Sequence, residues 1–311
     1  MKIHSKRFQC IAAWSLFLCL TICPVKAGAV TITVPIGGNI QNAVNQINAQ
    51  GGGVVNLVAG TYTLTSTLLM KSNVALNGAG MTSTIIQIAD TFNVIEDASE
   101  GLKNVTIQNL KVVGKHSTNC YGILIQAGTT YHSHIQLINV EVTGAGMGAH
   151  FKRINGLTIT RCNFHQNGSA DQIGYYHNLY IRSCNTVYVA DSYMNNSTSA
   201  NGLNVSYCNN VTISNCTANH NYFRGMRAAD TNGFAVLNCV MNSNGDVGLL
   251  ANAEVTPTIN INWYQCAASG NKHGGVKAIA GVTGSLTGCR AFENTGFNYS
   301  ISDAIVSADN H

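Results

Sequence analysis

His150, Lys152, Tyr180, Arg182, Asn204 and Arg227, with His177 and Arg224 nearby, are the residues of this chain whose types could act together on a substrate. Arg or Lys neutralises a carboxylate and stabilises the charge that develops beside it. Tyr, His or Lys takes a proton from carbon. Applied to a uronate sugar, this combination removes the proton from the carbon that bears the carboxylate. If the glycosidic oxygen then leaves, the outcome is β-elimination; if a proton returns to the opposite face, it is epimerisation. Tyr180 and His177 are the first candidates for base or acid, with Lys152, Arg182 and His150 competing for those roles. Arg227, Arg224, Asn204, Lys277 and Tyr176 are the candidates for holding the substrate, Arg227 and Arg224 through its carboxylate.

Residues this far apart meet only if the chain returns to the same place at regular intervals, and the sequence repeats as that requires. Val105-Thr106-Ile107, Ile135-Gln136-Leu137, Leu157-Thr158-Ile159, Val187-Tyr188-Val189, Val211-Thr212-Ile213 and Phe234-Ala235-Val236 recur at steps of roughly 22 to 30 residues, an interval typical of solenoid repeats. A second series is opened by Gly122, Gly148, Asn178, Gly202, Gly225, Gly248 and Gly275. Its inward positions are mostly apolar, as in Ile123/Ile125, Leu179/Ile181 and Leu249/Ala251. Period-two patterning of this kind predicts short strands with one buried face. Several such strands per repeat, with Asn and Gly at the corners and only 3 Pro, predict a parallel solenoid in which coil stacks on coil.

Stacking turns sequence alignment into geometry. Counting two residues past each opener gives an outward column of Leu124, His150, Tyr180, Asn204, Arg227, Leu250 and Lys277; counting four gives Gln126, Lys152, Arg182, Ser206, Ala229, Asn252 and Ile279. The candidate residues therefore fall on one face as a basic strip lengthwise along the axis. Lys152, Arg153, Arg161, Arg182, Arg224 and Arg227 outnumber Asp171, Asp191 and Asp230 in this part of the chain. The coil running from Leu157 to Val187 is 30 residues long and carries extra chain, and its segment 165–176 is expected to overhang the strip. Upstream, Ile40, Ala43, Val44 and Ile47 mark one amphipathic helix over residues 39–50, which would cap the open end of the first coil.

Composition excludes several classes. The 311 residues are 45% hydrophobic and only 10% charged, which argues against disorder. Of 17 Lys and Arg, Lys2, Lys6, Arg7 and Lys26 lie in the first 26 residues, so the rest of the chain balances its 13 Asp and Glu. A balanced chain lacks the footprint that nucleic-acid binding needs. Residues 1–29 read as a secretory leader: a basic start, an apolar stretch over 11–22 and a small-residue cleavage site ending at Ala29. Secretion or export to a periplasm is expected, with residues 30–311 as a single domain, no membrane span and a monomeric state. Three of the 11 Cys fall in the leader. The other eight are Cys120 and seven that step through the repeats, as 162, 184, 208 and then 216, 239, 266, 289, and are expected to be buried stacked thiols. Asn109, Asn139, Asn215 and Asn238 are expected to form a hydrogen-bonded corner column, and the several Asn-x-Ser/Thr sequons to belong to the same corner chemistry.

The runs Ile40-Gln41-Asn42-Ala43-Val44, Gly51-Gly52-Gly53-Val54-Val55-Asn56-Leu57, Ala59-Gly60-Thr61-Tyr62, Leu76-Asn77-Gly78-Ala79-Gly80 and Thr84-Ile85-Ile86 resemble the opening of pectin-lyase-like right-handed parallel β-helix proteins. The resemblance implies an all-β, single-stranded right-handed parallel β-helix behind an N-terminal capping helix. Activity does not follow, since one fold hosts many. In the β-helical alginate and chondroitin lyases a Lys base and an Arg lie on adjacent coils, which by column position would be Lys152 and Arg182. Those enzymes hold calcium in an acidic cluster that is not apparent here, so calcium is considered and no cofactor is assigned. Mannuronan C5-epimerases carry a Tyr-Gly-x-Asp-Pro-His run; Tyr175-Tyr176-His177 lacks its Gly, Asp and Pro.

Hydrolysis calls for two spaced carboxylates, and neither outward column contains Asp or Glu. The Asn-Thr-Asp and Gly-His-Gly motifs of polygalacturonases are missing, although His273-Gly274-Gly275 echoes one of them. The reading at this point is an exported lyase cleaving a uronate polysaccharide of the alginate or pectate kind, its partner being that acidic polymer. A uronate C5-epimerase is the alternative, with a glycoside hydrolase or a non-catalytic binding or adhesive solenoid as further alternatives.

Overall fold

The computed structural model describes residues 30–311. The expected leader, its cleavage site and Cys10, Cys19 and Cys23 lie outside the described residues. From Val30 onward the chain winds as a parallel β-solenoid. A 16-stranded sheet forms one long face, a 10-stranded sheet the opposite one, and a 2-stranded piece, Ala267–Ser269 with Arg290–Phe292, lies on a narrow third face. Every pairing joins equivalent strands of successive coils, such as Leu157 with Val187 and Val187 with Val211. Inward positions fill the bore with Ile, Val, Leu, Cys and fully buried Phe151, Phe164, Phe234 and Trp263.

The helix forms where the pattern placed it, over Ile40–Ala49, burying Ile40, Ala43, Val44 and Ile47. Asn39 caps its start by accepting the Asn42 N–H at 2.9 Å. Gln41 then bonds both backbone groups of Leu69, accepting its N–H at 2.7 Å and donating to its carbonyl at 3.0 Å. Leu69 belongs to Leu68–Met70, the first strand of the 10-stranded sheet. One side chain thus satisfies groups on a sheet edge that would otherwise be open to another strand.

All eight cysteines of the described chain are free and buried. The register corrects their grouping. The Cys184 N–H points at Cys208 Sγ (3.3 Å), whereas the Cys162 N–H donates to Ser192 Oγ (3.1 Å), in the column that continues through Cys216, Cys239, Cys266 and Cys289. The extra chain of the long coil is what hides this in the sequence. Burial pushes the Cys162 thiol up to about 12, so it stays protonated and unreactive.

The corner column exists but is mixed. Asn109 donates to Asn77 and Asn139 to Asn109, each at 2.9 Å, and Asn215 donates to Asp191 at 3.2 Å. These residues share the left-handed backbone region, with φ of 56°, 55°, 51° and 50° for Asn109, Asn139, Asn215 and Asp191, and Asn and Asp tolerate that region best. A second ladder runs inside the coils. Asn221 donates to Asn244, Asn244 to Asn271 and Asn271 to Asn294, through both side chain and backbone N–H, at 2.9 to 3.0 Å. This ladder explains the Gly openers: a Cβ on Gly225 would lie 2.9 Å from Asn244 Nδ2, and one on Gly248 2.7 Å from Asn271 Nδ2. It also explains the exception. The coil after the long one offers Ser197 to the ladder, and Asn178 of the long coil, standing where the others have Gly, reaches in to bridge Asn167 and Asn221 at 3.0 and 3.2 Å.

Candidate functional site

Met147–Lys152, Leu179–Arg182, Leu203–Ser206, Met226–Ala229, Val247–Asn252 and Gly274–Ala278 lie side by side in the 10-stranded sheet. Their register sets His150, Tyr180, Asn204, Arg227, Leu250 and Lys277 in one column. Lys152, Arg182, Ser206, Ala229 and Asn252 form the other. Over these strands lies a cleft of about 690 Å³. Its floor carries Tyr180, Arg182, Asn204, Ser206, Arg227, Leu250, Asn252 and Lys277. Residues that precede the strands, His177, Asn201, Phe223 and Arg224, form one wall, and residues that follow them, Tyr207, Glu254 and Ile279, form the other. The overhang of the long coil is observed: Ile173, Gly174 and Tyr175 border the cleft, held by the Gly174 N–H on the Ser199 carbonyl at 2.8 Å.

Seven of the ten candidates share this cleft: His177, Tyr180, Arg182, Asn204, Arg224, Arg227 and Lys277. His150, Lys152 and Tyr176 are not among its lining residues. Tyr176 turns away, its hydroxyl donating to the Thr118 carbonyl at 2.9 Å and its ring tilted against Tyr121. His150 lies one coil too early but stacks on Tyr180, with centroids 4.7 Å apart and planes at 11°. Burial, then the charges of Lys152 and Arg182, hold it neutral by lowering its pKa to about 4. It is a platform for the Tyr180 ring.

Tyr180 is fixed from three sides. His150 lies against one face, His177 meets it edge-on at 5.4 Å, and its hydroxyl bonds the Ser206 hydroxyl at 3.0 Å. His177 is buried, and its Nδ1 lies 3.2 Å from the Asn201 backbone N–H. Burial first, then Arg227, His150 and Arg224, push its pKa down to about 3. A neutral ring that accepts at Nδ1 carries its proton on Nε2. His177 is therefore a hydrogen-bond donor at neutral pH, which narrows the two roles that the sequence leaves open to it.

The arginines differ in freedom. Arg227 donates Nε to Asn252 (3.0 Å), Nη1 to Asn204 (3.1 Å) and Nη2 to Glu254. Arg224 pairs with Asp246 at 2.8 Å, and Asp246 also meets His273. The two proposed carboxylate holders are thus already ion-paired, by acids that lie beyond the stretch whose basic excess suggested the strip. Arg182 is exposed, sits over the Tyr207 ring at 5.4 Å, and like Lys277 has no ion pair among the described residues. Glu254 is delivered by a loop that Asp230 anchors, accepting the N–H groups of Glu254, Val255 and Thr256 at 2.8, 2.9 and 2.8 Å. Burial raises the Asp230 pKa, but the three donors outweigh it and the net shift is downward. Sequence reasoning missed Asn201, Tyr207, Phe223 and Glu254 as site residues. The signal for Glu254 was the lengthened coil, since Asn232 and its partner Asn260 are 28 residues apart, against 23 for Asn204 and Arg227.

Fold and site define a parallel β-helix with a polar groove along one sheet. Residues 86–264 match the family described as "Right handed beta helix region", and the chain belongs to that family. Among curated proteins it is similar to the mannuronan C5-epimerase AlgE3 of Azotobacter vinelandii, 32% identical over 152 residues. That match covers 42% of this chain and 8% of the much longer relative. Among solved structures, ORF18 of Geobacillus virus E2 superposes with a TM-score of 0.65 at 20% identity, covering 90% of this chain and 60% of that one. The periplasmic alginate epimerase AlgG superposes with 0.61 at 11% identity, covering 91% and 76%. These structural likenesses are likenesses of fold. Among the described residues no helix is long and apolar enough to cross a membrane.

Proposed function

We propose that the protein is a carbohydrate-active enzyme that acts on a uronate-containing polysaccharide by moving the proton at C5, and that epimerisation is its reaction. The observation that carries the reading is Tyr180, held on the cleft floor by His150, His177 and Ser206, with the unpaired Arg182 beside it and Arg227 two coils on. Tyr180 is the base that takes the C5 proton. Arg182 neutralises the carboxylate, and as the C5 proton leaves, negative charge spreads onto the carboxylate oxygens, where Arg182 and the neutral His177 Nε2–H stabilise it. A neutral imidazole suits that role, because it donates a hydrogen bond without giving up its proton, and a proton taken from solvent water on the opposite face of C5 completes the inversion.

β-Elimination shares this first step and is the second reading. The likeness to a mannuronan C5-epimerase supports epimerisation over it. Hydrolysis is less well supported, because Glu254 is the one carboxylate among the residues lining the cleft. An exported site of action goes with the leader read in residues 1–29. The test is incubation of the purified protein in deuterated water, with and without calcium, against a panel of uronans. Deuterium entering C5 without chain cleavage is the expected result. Ultraviolet absorbance of an unsaturated uronate would replace epimerase with lyase, and neither signal on any uronan would defeat the proposal.

A further inference from the structure

The cleft floor alternates in charge from coil to coil. Leu179–Arg182 presents Tyr180 and Arg182, and Leu203–Ser206 presents Asn204 and Ser206. Met226–Ala229 presents Arg227, Val247–Asn252 presents Leu250 and Asn252, and Gly274–Ala278 presents Lys277. The order is cationic, neutral, cationic, neutral, cationic. Neighbouring strands lie about 4.8 Å apart, so cations recur at about 10 Å. Lys152, one coil before Arg182, is outside the lining, so the alternation begins at Arg182.

A polysaccharide extended along the axis advances by nearly one coil per sugar. With a carboxylate on every sugar, two of every five along the floor would face Asn204 and Ser206, or Leu250. Leu250 is 7% exposed and offers no hydrogen bond, and a carboxylate against it loses water without compensation. The neutral coils also spend acceptors on their cationic neighbour. Asn204 and Asn252 each turn Oδ1 to Arg227, which locks the guanidinium between them and leaves three of its five N–H donors for other partners, one of them now on Glu254. Its partner Glu254 is 52% exposed on a loop, so water reaches that contact and a substrate carboxylate can exchange with it.

Resting on the reading of this cleft as a uronate site, we infer that it is matched to a polymer in which uronate alternates with an uncharged sugar. The test is binding of the full chain to length-matched polymers at one ionic strength. Hyaluronan and unsulfated chondroitin, which alternate uronate with N-acetylhexosamine, are set against polymannuronate and polygalacturonate. Alternating polymers are expected to bind at least about tenfold tighter, about 1.4 kcal/mol, although they carry half the charge density. Leu250→Lys, which places a cation on a neutral coil, is expected to narrow that ratio. If the variant does not fold, the ratio for the unaltered protein decides alone. Equal or tighter binding of the homopolyuronates overturns the inference, and C5 exchange on them would leave the proposed chemistry standing. Tight binding of an alternating polymer without C5 exchange or elimination supports the inference and defeats the enzyme. Binding to no uronan overturns both.

Discussion

The two faces of each cleft strand obey opposite rules. Inward, the same residue types recur from coil to coil: aliphatic pairs, thiols under thiols, and the ladder from Asn221 to Asn294. Outward, hardly any position repeats its neighbour, and His150, Tyr180, Asn204, Arg227, Leu250 and Lys277 follow one another on equivalent sites. Uniformity is what a stack needs, because each coil must bond the next in the same way. Variation is what a site needs, because a reaction requires different groups at different places. Repetition inside therefore serves stability, and irregularity outside is where the proposed chemistry would lie.

That contrast can be broken by experiment. The largest effect is expected outside: Tyr180→Phe keeps the ring stacked on His150 and removes the base, so turnover should fall by about 10²- to 10⁴-fold with an unchanged melting temperature. Full activity in this variant would move the site elsewhere. Inside, Asn244→Ala strands the backbone and side-chain donors of Asn221 within the bore and leaves Asn271 Oδ1 only the backbone N–H of residue 244, at a cost of about 3 kcal/mol in urea unfolding. Its per-molecule activity under conditions where it stays folded should be unaffected.

Acid should act through the buried rings. His150 and His177 have pKa values lowered to about 4 and about 3, below the value of about 6.5 in an unfolded chain. Between those limits the unfolded state binds protons that the native state refuses, so stability is full above about pH 6.5 and declines as pH falls through the range of both shifts. His150→Phe should flatten part of that decline in a series of melting curves, while a profile unchanged by the substitution would count against a buried neutral ring. The smallest effect is expected from Asp230→Ala. It frees the Glu254 loop, costs about 1 to 2 kcal/mol, and should alter KM more than kcat, because Glu254 touches Arg227 and not Tyr180.

Much of the fold was legible because strands alternate with period two and coils repeat. Counting from the Gly openers was enough to place Tyr180 beside Asn204 and Arg182 beside Ser206 in their true register. What could not be read was whatever depends on corners and loops. Asn at a corner and Asn in the interior ladder look alike in sequence, and the structure separates them by where the backbone turns. Cys162 was grouped with Cys184 because the long coil upsets the count. Tyr207, at φ 56° just past its strand, and Glu254, on its loop, belong to neither outward column. The choice of lyase over epimerase was not legible at all, since both begin with the same proton.

Stacking only onto neighbours has a genetic corollary. The sheets pair each coil only with the one above and the one below, so duplicating or deleting a single coil, 23 residues at the Asn204 to Arg227 step, leaves the other strand pairings intact. Such an event would be almost silent to folding and loud to recognition. Inserted between Arg182 and Arg227, one extra coil throws the cations downstream out of phase with those upstream, so a single in-frame duplication would change the polymer that the proposed site fits while leaving its proposed catalytic residues untouched.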